Sequence, residues 1–202
     1  MKITFNRLGS RFFATRLFVV KSSAVKLGAV VLGLLLPWLA QAGECPAFFE
    51  GELKKLHSEE TINLCDDWQG QPTLIVNTAS FCGFTPQFEA LEAVHQRYSG
   101  KGLRVLGFPS DDFRQEADSE SETAEICYIN YGVSFTMLAP VSVKGSKAHP
   151  IFKELARQTR APSWNFNKYL INGEGKVTAR FGSRVSPESK KFLAALDELV
   201  AQ

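Results

Sequence analysis

The sequence predicts an α/β fold, a three-layer sandwich with a central mixed sheet covered by helices, and three observations carry that prediction. A continuous β-rich run, Thr73-Leu74-Ile75-Val76-Asn77-Thr78-Ala79, reads as a buried strand. A helical stretch and a second apolar run, Leu103–Phe108, follow it, giving a β-α-β unit whose strands should lie parallel. Near the C-terminus, Lys168–Ile171 and Lys176–Phe181 flank Asn172-Gly173-Glu174-Gly175, a hairpin signal that adds an antiparallel pair.

The remaining elements fall into place along the chain. Residues 43–72 are polar and turn-rich, with a short apolar stretch at Thr61–Leu64. After the first strand, Thr85 and Pro86 suit a helix N-cap and first helical position. Phe88, Leu91, Val94 and Tyr98 then recur at three- and four-residue intervals, one apolar face, and Gly100–Gly102 ends the helix. Pro109 stops the second strand. Ser119 and Glu122 form a capping box that opens a helix running to about Asn130. A further helix starts at Pro150 with Phe152 and Leu155 inward, and Ser186-Pro187 opens a terminal helix bearing Phe192, Leu196, Leu199 and Val200. The order β-α-β, α, β-β-α, with no repeat or linker, fits one domain of thioredoxin-like type.

Composition narrows the function. Hydrophobic residues make up 45% of the 202-residue chain and charged residues 22%, which is ordinary globular composition. The formal net charge of +2 is unevenly spread: six of the 23 basic residues and none of the 21 acidic ones lie in residues 1–42. The rest therefore carries 17 basic against 21 acidic residues, a net of −4, so no basic surface for nucleic acid is expected.

Residues 1–42 read as an export signal. A cationic stretch ending at Lys26 precedes an apolar segment that closes on Ala40-Gln41-Ala42, the small-residue pattern before signal-peptidase cleavage. The apolar run from Leu27 to Leu39 has 13 residues and contains Pro37, short of the ~20 that span a bilayer, so no stable membrane anchor is expected. Cleavage near Ala42 would release residues 43–202 as one periplasmic or secreted domain. Export means an oxidising space, in which structural disulfides are permitted.

Cys82 is the residue that chemistry singles out. It lies in the turn between a buried strand and a helix N-terminus, where unpaired backbone N–H groups favour an anion, and the thiolate is the reactive form of cysteine. The alternative is an inert buried Cys. The local sequence is Cys-Gly-Phe-Thr rather than Cys-x-x-Cys, which weighs against a dithiol–disulfide exchanger. His57, His95 and His149 are scattered and form no metal-ligand spacing, so no metal site is expected; His149 is read as shaping the turn before Pro150.

Three blocks then carry a resemblance. Asn77-Thr78-Ala79-Ser80-Phe81-Cys82-Gly83-Phe84-Thr85, Gly107-Phe108-Pro109, and Trp164-Asn165-Phe166-Asn167-Lys168-Tyr169-Leu170-Ile171 resemble, in order, the signature blocks of the glutathione peroxidase family. The similarity runs from about Phe48 to Val200. It implies a cysteine-type thiol peroxidase in which Cys82 attacks a hydroperoxide and becomes a sulfenic acid, with the indole N–H of Trp164 and the amide of Asn165 donating to the sulfur. No cofactor is implied. Where the family commonly has Phe-Pro-Cys-Asn-Gln-Phe, this chain has Phe108-Pro109-Ser110-Asp111-Asp112-Phe113, so Asp112 stands at the Gln position. A carboxylate there opposes a thiolate unless it is protonated, turns away or relays a proton; the expectation taken is a proton relay. The segment that follows is about one residue shorter than the family's, which leaves the alignment of Arg114–Glu116 open.

The resemblance also addresses the other thiols. Cys127 lies near the resolving Cys of thioredoxin-dependent members and is a candidate to condense with the Cys82 sulfenic acid; its alternative is an apolar helix residue. Cys45 and Cys65 are a candidate structural disulfide in an exported chain. The stretch from His149 to Trp164 lacks the long insertion of tetrameric, glutathione-using members, which implies a monomer with an open site. The expected partners are a hydroperoxide and either glutathione or a thioredoxin-like protein as reductant. The rival readings are a thiol–disulfide oxidoreductase on the same fold, and a redox sensor or binding module that has lost turnover.

Overall fold

A computed structural model of the protein describes residues 44–202. The leader and its cleavage point near Ala42 lie outside the described residues.

The expected sheet forms. Strand β3 (Thr73–Thr78) is buried along its whole length and occupies the centre of a five-stranded sheet of order β5-β4-β3-β6-β7. It pairs in parallel with β4 (Arg104–Pro109), Thr73 opposite Arg104 and Thr78 opposite Pro109, and antiparallel with β6 (Lys168–Ile171), Thr73 opposite Ile171. β7 (Val177–Phe181) pairs antiparallel with β6 as the hairpin signal requires, and β5 (Thr136–Met137) adds a short parallel edge to β4. An outlying antiparallel hairpin joins β1 (Glu52–Lys54) to β2 (Thr61–Asn63). Neither β1 nor β5 is evident in the sequence: at three and two residues they have no periodicity to read, and a β1–β2 pairing and a β4 edge hold them in place.

Alternation along the central strands divides the interior into two cores, because successive side chains of a strand point to opposite faces. Leu74, Val76, Val105 and Leu170 face one core, which receives Phe88, Leu91, Val94 and Tyr98 of helix α1 (Gln87–Tyr98) and Phe192, Leu196 and Leu199 of helix α4 (Lys190–Val200). Ile75, Leu106, Phe108, Tyr169 and Ile171 face the other, filled by Ile151, Phe152 and Leu155 of helix α3 (Pro150–Gln158) and by Phe49, Leu53, Leu64 and Trp68 of the N-terminal segment. Helices on both faces of a sheet buried on both sides are the three-layer sandwich.

The caps differ in detail from the sequence expectation. Ser119 caps helix α2 (Glu120–Ala124) through a bond accepted from Glu122 N, as the capping box implies. The helix continues to Asn130 as a π-helical stretch, Glu125–Asn130. His149 caps α3, its Nδ1 accepting from Ile151 N at 3.3 Å, the turn-shaping role read for it. The terminal helix starts three residues later than expected, because Ser189 rather than Ser186 supplies the cap by accepting from Phe192 N. Thr85 does not cap α1; its hydroxyl is committed to the loop before the helix.

Candidate functional site

That commitment builds the thiol site. Beyond β3 the chain turns through Ala79–Thr85, and the Thr85 hydroxyl donates to Ala79 O at 2.9 Å while accepting from Cys82 N at 3.0 Å. Thr85 N also bonds Cys82 O at 2.9 Å, so one buried threonine clamps both ends of the turn. Cys82 itself is a free, buried cysteine, 6% exposed, in the α1/α4 core. Its Sγ accepts from Phe84 N at 3.4 Å, a backbone donor of the kind expected at a strand-to-helix turn. Phe81, beside it, is 57% exposed and gives the loop an apolar outer face.

The block that begins at Trp164 is brought to this loop by Asn77, near the end of β3. Asn77 Oδ1 accepts from Asn167 N at 3.0 Å, Asn77 Nδ2 donates to Trp164 O at 3.1 Å, and Phe166 N donates to Asn77 O. This leaves Phe166 at φ 58°, a left-handed conformation that a bulky residue adopts at a cost of order 1–3 kcal/mol. Arg114, at φ 57°, adopts the same conformation in the opposing segment. The two left-handed residues flank Asn165 and Gln115, whose side chains meet: Asn165 Nδ2 donates to Gln115 Oε1 at 3.1 Å. Gln115 O in turn accepts from Phe81 N at 2.8 Å, which fastens the pair to the Cys82 loop.

Gln115 is thus a site residue that sequence reasoning missed. The signal was the shortened segment after Phe113, which left Arg114–Glu116 without a fixed register. The structure corrects the expectation for Asp112. Its carboxylate accepts from Ser142 Oγ at 3.0 Å, Val143 N at 2.6 Å and Lys144 N at 3.0 Å, so it holds the 142–144 segment and is turned away from a relay position. The donors expected for the sulfur also differ. Among the described residues neither Trp164 Nε1 nor Asn165 Nδ2 bonds Cys82 Sγ, because the Asn165 amide is engaged by Gln115. Asn165 is fully buried and its Oδ1 has no hydrogen-bond partner among the described residues, an acceptor left open within the site. Trp164 is 40% exposed, packs its ring on Phe113 with centroids 5.3 Å apart, and walls a groove of about 490 Å³ with Phe84, Gly182, Arg184 and Val185.

The other cysteines separate cleanly. Cys45 and Cys65 are joined as a disulfide spanning a sequence separation of 20, with a Cα–Cα distance of 5.5 Å. Cys127 is free, 1% exposed, and faces the same core as Cys82 from the π-helical stretch. Burial, with the Glu116 carboxylate adding to it, pushes the Cys127 thiol up to about 12. Another buried group of the Trp164 block, Lys168, donates through Nζ to Gln87 Oε1 and to Val185 O at 2.9 Å, and burial pushes its ammonium down to about 7. No group of three or more His, Cys, Asp or Glu positioned to hold a metal ion occurs among the described residues.

Comparison with known proteins places this geometry. Residues 48–156 match the glutathione peroxidase family. A glutathione peroxidase of Lactococcus lactis subsp. cremoris is 40% identical over 147 residues, 70% of this chain and 92% of its own length. The glutathione peroxidase-like peroxiredoxin HYR1 of Saccharomyces cerevisiae is 41% identical over 131 residues, 61% of this chain and 80% of its own. The crystal structure of Trgpx in apo form superposes with a TM-score of 0.61 at 30% identity, covering 78% of this chain and 97% of that one. With Cys82, Gln115 and Asn165 assembled at the end of a thioredoxin-like central strand, and with these matches, the chain belongs to the glutathione peroxidase family and is a peroxidase.

Proposed function

We propose that this chain is an exported, cysteine-dependent thiol peroxidase that reduces hydrogen peroxide and organic or lipid hydroperoxides, with a thioredoxin-like protein as the favoured reductant and glutathione as the alternative. The Cys82 thiolate attacks the terminal peroxide oxygen, the O–O bond breaks, and the departing alkoxide or hydroxide takes a proton, leaving Cys82 as a sulfenic acid. Cys127 then condenses with that sulfenic acid to give a disulfide and water, and the external thiol reduces the disulfide by exchange. Asn165 and Gln115 position the reacting oxygen, and Trp164 forms the apolar wall past which the organic part of the peroxide lies.

The observation that carries the reading is the buried thiol of Cys82, held on a clamped turn with a backbone donor on its sulfur and the Gln115–Asn165 pair fastened to the same loop. The name of the yeast relative, a peroxiredoxin, favours the protein reductant. Export and a monomeric state rest on the leader and on the short His149–Trp164 stretch, and the Cys45–Cys65 disulfide suits an oxidising compartment. The test is peroxide consumption coupled in turn to thioredoxin and to glutathione, with Cys82→Ser alongside. Turnover with thioredoxin that Cys82→Ser abolishes supports the reading, and undiminished turnover in that variant refutes it. Signal cleavage is read from the N-terminal sequence and location of the expressed protein.

A further inference from the structure

The reaction just described leaves one buried acid without a task. Glu116 is 8% exposed, and its Oε1 accepts from three donors: Ser80 Oγ, Thr123 Oγ1 at 2.8 Å and Ala117 N at 2.9 Å. Ser80 stands two residues before Cys82. Thr123 lies on α2, four residues before Cys127. A single carboxylate therefore ties the loop that carries one thiol to the helix that carries the other.

The second oxygen, Oε2, is buried and has no hydrogen-bond partner among the described residues. Leaving a buried acceptor open is unfavourable, more so for a charged group, and three donors converging on Oε1 do not relieve it. The open oxygen belongs to the same neighbourhood as Cys127. Residues four apart on a helix share a face, and the Glu116 charge acts on the Cys127 thiol. The titratable groups around Glu116 are Cys127 from the helix and Asp111 on its own segment, whose Oδ1 accepts from Glu116 N at 3.3 Å, while the Ser80 bond joins it to the loop that carries Cys82. Among the described residues no Lys, Arg or His hydrogen-bonds or pairs with it.

We propose that Glu116 is the proton acceptor for Cys127 when the disulfide closes, an inference that rests on the resolving role of Cys127 given above. Oε2 takes the proton from the Cys127 thiol as its sulfur attacks the sulfur of the Cys82 sulfenic acid. The S–S bond forms and the S–O bond breaks, the Cys127 sulfur being oxidised and the Cys82 sulfur reduced. The departing hydroxide takes the same proton from Glu116 and leaves as water, which restores the carboxylate. Without such an acceptor a thiol this deeply buried offers very little thiolate at neutral pH. The Ser80 and Thr123 bonds hold the acceptor between the loop that carries Cys82 and the helix that carries Cys127.

The test separates the two chemical steps in the purified protein. Sulfenic acid formation is followed by stopped-flow tryptophan fluorescence, and closure by mass spectrometry of acid-quenched, alkylated samples, for wild type and Glu116→Gln. The expected result is sulfenic acid formation within about twofold of wild type and closure slowed by about 100-fold, within the range for general acid–base catalysis. Closure in wild type should be flat between about pH 6 and 8, while in Glu116→Gln it should rise about tenfold per pH unit as hydroxide takes over. Closure at the wild-type rate with a flat profile overturns the proposal, as does equal slowing of both steps, which marks a structural role. If Glu116→Gln fails to fold, Glu116→Asp carries the test: slower closure with a flat profile supports the proposal, and a profile rising with pH overturns it. A wild-type protein that closes no Cys82–Cys127 disulfide overturns the resolving role and this inference with it, whereas normal closure in Glu116→Gln overturns this inference alone.

Discussion

The Cys45–Cys65 disulfide permits a quantitative test that is independent of catalysis. Replacing both cysteines by serine removes a cross-link across a sequence separation of 20 that encloses the β1–β2 hairpin. Chain-entropy reasoning gives about 11 cal/mol/K for a loop of that size, or about 3.3 kcal/mol at 25 °C. For a domain of this length each kcal/mol moves the melting temperature by about 2–4 °C, so Cys45→Ser/Cys65→Ser should melt about 10 °C lower. Both cysteines pack against the α3 core, whereas Cys82 faces the α1/α4 core on the other side of the sheet. Peroxide reduction by the double variant at 25 °C should therefore stay within about twofold of wild type. Thermal unfolding followed by circular dichroism, with the peroxidase rate measured on the same samples, checks both numbers. A melting shift below about 3 °C would show that the hairpin segment is held without the cross-link, and a large loss of rate would refute the separation of the two faces.

Three further expectations bear on the site and its supports. Asn165→Ala removes the amide that meets Gln115 and should cost about 100-fold in the second-order rate of Cys82 oxidation by peroxide, measured by stopped flow. Asp112→Asn should leave that rate and its pH profile unchanged, because the carboxylate is engaged by residues 142–144; the loss should appear instead as about 1–3 kcal/mol of stability in urea unfolding. Lys168, with its ammonium pushed from 10.5 down to about 7 in the folded state, binds fewer protons folded than unfolded between those values. Stability should therefore rise with pH above about 7, by at most about 1.4 kcal/mol per unit, and urea titrations at about pH 7, 7.75 and 8.5 should show that rise in wild type and a flatter line in Lys168→Met.

Much of this architecture was legible because the residues that specify it are neighbours in sequence. The strand before Cys82, the apolar face of α1, the Asn-Gly-Glu-Gly turn of the β6–β7 hairpin and the Ser119 cap each depend on contacts within a few residues. Features decided by distant partners were not legible. Thr85 suits an N-cap by type, yet its hydroxyl serves the turn six residues back at Ala79. Asp112 sits beside the shortened segment and by sequence position stands in for a site glutamine, yet its orientation is set by backbone donors 31 and 32 residues away at Val143 and Lys144. Glu116 gave no sequence signal, because its two tying partners, Ser80 and Thr123, lie on either side of it at separations of 36 and 7.

The parallel pairing of β3 with β4 explains why the site residues nonetheless converge. Parallel strands in matched register release their following loops at the same edge of the sheet, the place where α/β folds collect their chemistry. Here Thr78 lies opposite Pro109, and the first contact beyond the strands, Ser110 N to Thr78 O at 3.1 Å, keeps the two exits side by side. The Cys82 turn leaves β3 and the Gln115–Glu116 segment leaves β4, so both reach one edge although more than thirty residues separate them. β6 is antiparallel to β3 and enters the sheet at that edge, which brings Trp164 and Asn165, just ahead of Lys168, to the same point. A loop one residue shorter after Phe113 need not empty the site, because the matched register fixes where the segment starts and the Gln115–Phe81 backbone bond fixes where it docks. That geometry, more than the residue type at any one position of the second block, lets Gln115 meet Asn165 where the sequence had pointed to Asp112.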